Sequence, residues 1–234
     1  MKPLPAPDHL DYELPVGHVC LLTDDGTELT VKTLQKLEQR GWPVVVIRFP
    51  QQVVAQSQKL PEGTRTLQLE DLSEEYLLSS LNELERLYGP AAAFIHLDQA
   101  CGVFQGQKVT FSSSSKQVLQ TVFLLAKHLK ETLNKAAGQG RAAFMTVVRL
   151  DGEFGLGDRY DFDPISGGLF GLVKSLNLEW EGVFCRALDL EPTLPADQAS
   201  DWILAELADP NRRLVEVGYG SEGRATLALA AATV

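Results

Sequence analysis

A chain of 234 residues with 44% hydrophobic content can bury a full core, and this length suits one large α/β domain. Its net charge of −10 and pI near 4.9 would repel phosphate backbones and anionic lipid, which argues against nucleic-acid and membrane-surface partners. No apolar run approaches the roughly 20 residues that span a bilayer and no apolar leader opens the chain, so a cytoplasmic location is expected.

Residues 1–16, with four prolines among charges in their first fifteen positions, read as a linker ahead of a folded unit over 17–229. From there apolar runs alternate with amphipathic patterns. The runs predict strands over 19–22, 44–47, 67–69, 91–96, 143–150 and 183–190, short and continuously apolar as strands buried on both faces are. Between them the sequence predicts a helix over 29–40, with Val31, Leu34 and Leu37 on one stripe and Gly41 closing it. A second helix over 73–88 starts at Ser73 as N-cap and repeats Leu77, Leu81, Leu84 and Leu87. The longest runs over 115–135, behind the serine run 112–115, which reads as a loop and N-cap. Helices over 166–180 and 196–207 follow, and 214–229 reads as a hairpin turning at Gly220-Ser221-Glu222-Gly223. The tail 230–234 stops on small, mostly apolar residues, as an excised piece of a longer chain would. Strands alternating with helices predict a Rossmann-like α/β three-layer fold with a mostly parallel sheet.

The first βαβ unit is where chemistry would be expected. The strand ending at Thr23 runs into Asp24-Asp25-Gly26-Thr27-Glu28, a dinucleotide-binding turn whose glycine fingerprint is reduced to Gly26. A pyrophosphate needs backbone N–H groups at a helix N-terminus and glycines that let it approach. Each carboxylate of Asp24, Asp25 and Glu28 would instead repel it by about 1 kcal/mol if partly exposed. A divalent metal on Asp24 and Asp25 is the competing reading, but acids ahead of a helix ordinarily cap it, so no metal is expected. Cys20, Cys101 and Cys185 lack pair spacing and read as unbridged, Cys20 and Cys185 as small apolar strand residues. Trp42, Trp180 and Trp202 lie near helix ends and read as packing anchors.

The stretch Thr146-Val-Val-Arg-Leu-Asp-Gly-Glu-Phe-Gly-Leu-Gly157, the helix Ser166-Gly-Gly-Leu-Phe-Gly-Leu-Val-Lys-Ser-Leu-Asn-Leu-Glu-Trp180 and the strand Phe184-Cys-Arg-Ala-Leu-Asp-Leu190 resemble the ketoreductase region of type I polyketide synthases. The likeness is strongest to the versions in polyunsaturated-fatty-acid, heterocyst-glycolipid and enediyne synthases. It covers most of 16–229. It implies a short-chain-dehydrogenase type of fold, in a family whose ketoreductase region has two halves: a structural subdomain that binds no cofactor and a catalytic one that follows it.

Short-chain dehydrogenases use Y-x-x-x-K, in which the lysine lowers the tyrosine pKa so that it can protonate a carbonyl oxygen. Laid over this sequence, the pattern puts Phe162 at the tyrosine position and Ser166 at the lysine position, so the resemblance implies no catalytic pair. A two-residue slip offers Tyr160 but then Pro164. Lys174 lies beyond the spacing, and the family's serine falls near Arg149 and Leu150, with Thr146 the nearest hydroxyl. Where the family carries Asn-Ala-Gly, this chain reads His96-Leu-Asp-Gln-Ala100; His96 and Asp98 suggest a dyad but no nucleophile stands beside them. Arg48, where a 2′-phosphate would be read, and Asp71, where adenine would be contacted, keep residual cofactor binding open together with Gly26.

The resemblance therefore implies a non-catalytic structural subdomain that packs against and stabilises an NADPH-dependent β-ketoacyl reductase half of the same polypeptide, alongside other synthase domains. Trp180 is the side chain expected to touch that half. No cofactor is expected here; NADPH and phosphopantetheine belong to the parent assembly. The alternatives are an active reductase with an atypical site and a nucleotide-sensing module without turnover.

Overall fold

The computed structural model describes residues 1–99 and 112–229. Cys101, Ala100 and the tail 230–234 lie outside them. In chain order the elements are β1 (Lys2–Pro3), β2 (Val19–Thr23), α1 (Glu28–Gln39), β3 (Val44–Arg48), β4 (Thr66–Gln68), α2 (Glu74–Tyr88), β5 (Ala91–Leu97), α3 (Ser113–Ala137), β6 (Ala143–Val148), α4 (Gly168–Glu179), β7 (Phe184–Leu190), α5 (Ala196–Ala208), β8 (Glu216–Gly220) and β9 (Gly223–Thr226).

The described strands form one sheet in the order β1-β9-β8-β7-β6-β5-β2-β3-β4, parallel from β4 through β8. The chain leaves β2 towards one edge and returns at β5 to build the other. That reversal is the Rossmann switch point, and the crevice beside it is where such sheets bind ligands. Side chains alternate along each strand. Val19 and Leu21 of β2 join a core under α2, α3 and α4, whereas Cys20 and Leu22 join a second core under α1 and α5. Fully buried strands on both faces explain the continuous apolar runs.

The helices follow their sequence signals closely. Gly41, with φ +79°, sits just past α1 in the left-handed conformation that closes helices. Ser112 caps α3 by accepting the Ser115 N–H at 3.3 Å. Ser73 stands at the N-cap of α2 but its side chain makes no capping bond; its hydroxyl donates to Asp71 instead. Strand β6 stops at Val148, two residues early, because the Leu150 N–H turns to the Asp189 carboxylate on β7.

Two expectations need correction. Residues 1–16 are not a free linker: β1 pairs antiparallel with β9, the Leu10 N–H donates to the Ala208 carbonyl at 2.7 Å, and the Tyr12 ring packs edge-on against Trp42 at 5.4 Å. Proline, which read as a linker signal, here suits an edge strand because it offers no N–H to a further strand. Trp180 is 1% exposed and packs edge-on against Phe144 at 5.5 Å, so it anchors the core of this chain and presents nothing to a partner.

Candidate functional site

The crevice beside the switch point opens at the β2–α1 turn. Asp24 and Asp25 are 2% and 1% exposed there. One Asp25 oxygen accepts the Thr27 N–H at 2.9 Å and the Thr30 hydroxyl at 2.7 Å; the other accepts the Thr27 hydroxyl at 2.7 Å. Thr27 caps α1 in turn by accepting the Leu29 N–H at 3.2 Å. Asp24 takes the Gly26 N–H at 2.8 Å on one oxygen and the Arg48 Nε–H at 2.9 Å on the other. A helix N-terminus attracts negative charge, and here the chain's own carboxylates supply it.

The turn is also covered. The carbonyl of Gly26 accepts the Ser57 hydroxyl at 2.6 Å and the N–H groups of Ser57 and Gln58 at 3.1 Å each. A Cβ at Gly26 would collide with the Ala55 carbonyl, so the glycine serves close approach by the chain's own loop. The β3–β4 connection is held over the turn by Val53 and Val54, both buried, and by the Gln56 amide donating to the Phe49 carbonyl at 2.9 Å. These residues do not fit a dinucleotide pyrophosphate: its anion position holds Asp25, and its approach is closed by residues 55–58.

The other predicted cofactor residues are occupied or exposed. Arg48 is tied to Asp24 through Nε. Asp71 lies on the surface, where the Ser73 hydroxyl and then the Leu72 N–H hold its carboxyl below the usual range. That is how a residue ahead of a helix behaves when it organises the N-terminus. The structure brings Gly26 and Arg48 together through Asp24.

The positions aligned with the catalytic pair lie on the β6–α4 connection. Phe162 is half-buried against Gly155, where a Cβ would come within 2.7 Å of its Cζ. Ser166 is buried in the turn before α4, its N–H donating to the Asp163 carbonyl at 3.2 Å. Tyr160 gives its hydroxyl to Glu191 at 2.5 Å, under the Arg159 guanidinium. Lys174 pairs with Glu216 at 2.8 Å, and Arg149 donates to the carbonyls of Pro192 and Leu194.

On β5, His96 bonds through Nδ1 with the Thr23 hydroxyl at 2.9 Å, while its Nε2 stands 3.7 Å from Asp98, too far for a hydrogen bond. The aligned Thr146 hydroxyl on β6 is buried without a partner among the described residues. Cys20 and Cys185 are buried, and burial pushes the Cys185 thiol up to about 12 and Cys20 higher, so neither is a nucleophile at neutral pH. Among the described residues no cluster of three metal-ligating side chains occurs, and no helix is long and apolar enough to cross a membrane.

Two buried charge clusters escaped the sequence reading. Asp189 on β7, 0% exposed, accepts the N–H groups of Leu150 and Phe154 in the loop after β6 that also carries the buried Asp151. Arg186, also on β7 and 0% exposed, pairs with Glu206 and Asp209, which Arg224 of β9 joins at 2.6 and 2.9 Å. The signal was present: an arginine and an aspartate inside a seven-residue strand that otherwise reads as fully buried require internal partners.

No family model matches the chain. Over 221 residues it is 31% identical to a polyunsaturated fatty acid synthase subunit from a Thraustochytrium species; the match spans 92% of this chain but 7% of the relative. Among solved structures, it superposes on a 3-ketoacyl-(acyl-carrier-protein) reductase from Brucella melitensis complexed with NADH, with TM-score 0.63 and 13% identity, covering 86% of this chain and 97% of that one. A metagenomic short-chain oxidoreductase in complex with NADP gives TM-score 0.62 and 16% identity, covering 86% and 96%. The fold is therefore that of the short-chain dehydrogenases and ketoreductases, and the sequence is similar to part of a polyunsaturated fatty acid synthase subunit.

Proposed function

We infer that this chain is a non-catalytic, structural ketoreductase subdomain of a polyketide- or fatty-acid-type synthase, which packs against and stabilises a catalytic NADPH-dependent β-ketoacyl reductase half. The observation that carries this reading is the dinucleotide turn filled from within: Asp25 at the N-terminus of α1 and residues 55–58 over Gly26. A reductase needs that seat for its hydride donor, and it needs a proton donor where this chain has Phe162. The similarity to one segment of a large synthase subunit supports a role among neighbouring domains. Exposed apolar side chains support it too. Phe123 on α3 is 54% exposed and Leu178 on α4 is 84% exposed, on helices bridged by Lys130 and Glu179 at 3.4 Å. A partner domain would cover such a surface.

The test is co-expression of this chain with the reductase segment of its parent polypeptide. A one-to-one complex should purify, in which the reductase half melts higher than alone and turns over a β-ketoacyl thioester with NADPH, while this chain alone does neither. Failure of the two pieces to associate would overturn the reading.

One observation favours a second reading, a nucleotide sensor without turnover. A polar groove of about 600 Å³ beside β3 is lined by Arg48, Gln56, Ser57, Lys59 and Thr64. Saturable nucleotide binding there, without reduction, would favour the sensor.

A further inference from the structure

At the switch point, on the face of the sheet opposite α1, three neighbouring strands carry polar side chains near their ends. Thr23 closes β2, His96 lies one residue before the end of β5, and Thr146 stands beside His96 in the β5–β6 register. They share a face with Leu21, Phe94 and Phe144 of the core under α2, α3 and α4, because side chains two apart on a strand point the same way. All three are at most 1% exposed, and Asp98, just past β5, is 7% exposed. Parallel sheets bind ligands at this end of their strands, and the place lies across the sheet from the turn that Asp25 fills.

Thr23 assigns the tautomer of His96. Its oxygen accepts the Leu97 N–H at 2.9 Å and stands 2.9 Å from Nδ1, while its own proton goes to the Leu97 carbonyl at 3.4 Å. A hydroxyl has one proton and two lone pairs, so the second lone pair takes the Nδ1–H and Nε2 is left bare.

What faces Nε2 is another base. Asp98 Oδ1 lies 3.7 Å away, and among the described residues no hydrogen-bond donor reaches the Asp98 carboxyl. Nε2 and the Thr146 hydroxyl are likewise without a partner among the described residues. Leaving a buried polar group unpaired costs about 1–3 kcal/mol, and native structures seldom do so. A bare imidazole nitrogen and a carboxylate form no bond with each other; an electron-pair acceptor between them satisfies both.

Distance decides what fits. Two ligands about 2.0–2.1 Å from a zinc ion at the tetrahedral angle stand about 3.3–3.4 Å apart. Drawing Nε2 and Oδ1 in from 3.7 Å to that spacing takes a few tenths of an ångström, whereas a direct hydrogen bond would require about 0.8 Å. The donors suit zinc too: a carboxylate, and an imidazole whose other N–H is held, here by Thr23.

We propose that His96 Nε2, the Asp98 carboxylate and the Thr146 hydroxyl hold a divalent cation of the zinc class at the ends of β5 and β6. Two strong ligands and a hydroxyl are fewer than the closed four-ligand set of a structural zinc site, so the ion keeps positions open to water. Asp98, the least buried of the three, is the point of entry. Thr23 is a positioning residue that acts through the imidazole. The site uses neither Phe162 nor Ser166, so it does not depend on the chain being non-catalytic.

The test is titration of the untagged, chelator-stripped chain with zinc chloride, followed by calorimetry and thermal shift. One zinc per chain should bind saturably and raise the melting temperature, and magnesium should not compete. Asp98→Asn and His96→Gln should each weaken zinc binding by at least about tenfold, and Thr23→Val by about 10–100-fold. His9→Gln and His128→Gln, the latter on the surface beside Glu74, should leave it unchanged. Asp98→Asn keeps the size and shape of the side chain, so it decides the matter even where His96→Gln fails to fold. No saturable zinc binding by the unmodified chain, binding lost in His128→Gln, or unaltered affinity in folded Asp98→Asn would overturn the site.

Discussion

At the residue scale, the first βαβ unit of this chain is marked by negative charge of its own at the start of α1. Asp25 has satisfied Thr27 and Thr30, and Gly26 lies under the Ala55 carbonyl. Gly26→Ala should cost more than about 1 kcal/mol, because alanine is strained at φ +76° and its methyl has no room; the urea midpoint would show it. Changing Phe162→Tyr together with Ser166→Lys restores the Y-x-x-x-K spacing, yet the double variant should give no NADPH oxidation with a β-ketoacyl thioester, since the seat for the hydride donor stays filled. Measurable turnover by it would mean that the two catalytic positions alone were missing. That Phe162 has no proton to give and Ser166 no ammonium to supply follows from residue identity alone. The cover over Gly26 was not legible in the sequence, because Ser57 and Gln58 reach it from an irregular loop some thirty residues away that carries no periodic signal.

At the scale of elements, both ends of the chain meet around one buried charge cluster. Arg224 of β9 donates to Glu206 of α5 and to the Pro5 carbonyl, tying the hairpin, the helix and the N-terminal segment together. Glu206→Ala would leave Arg186 buried beside a lost partner, and removing one member of a buried pair costs roughly 3–5 kcal/mol. Denaturant unfolding should show a loss of that order. Tyr12→Ala should cost about 1–3 kcal/mol, as a half-buried ring with a hydroxyl bond to the Leu207 carbonyl and an edge contact with Trp42 is removed. A change below about 0.5 kcal/mol would mean that the N-terminal segment is a passenger. Helices and buried strands could be read from periodicity alone, down to Gly41 behind α1. The N-terminal segment could not, since its pairing with β9 joins residues more than two hundred positions apart and proline content argued for a linker.

At the scale of the whole molecule, the sheet order, the reversal between β2 and β5 and the two cores are those of a Rossmann-like fold, while the β2–α1 turn beside the reversal is filled by Asp25 and covered by residues 55–58. The scaffold was legible because alternation of strands and helices fixes a parallel sheet; the state of the crevice depended on contacts between loops. If the scaffold serves a partner, Leu178→Lys should leave the melting temperature of the isolated chain nearly unchanged, because that side chain is 84% exposed, and should weaken association with the reductase half. The most direct test of the central claim is titration of the purified chain with NADPH, following nicotinamide fluorescence and thermal shift together. A ligand held at a hundred times its Kd stabilises by about 2.7 kcal/mol. The filled seat predicts no saturable fluorescence change and no rise in melting temperature up to millimolar NADPH; a saturable shift in both, lost in Arg48→Ala, would contradict it.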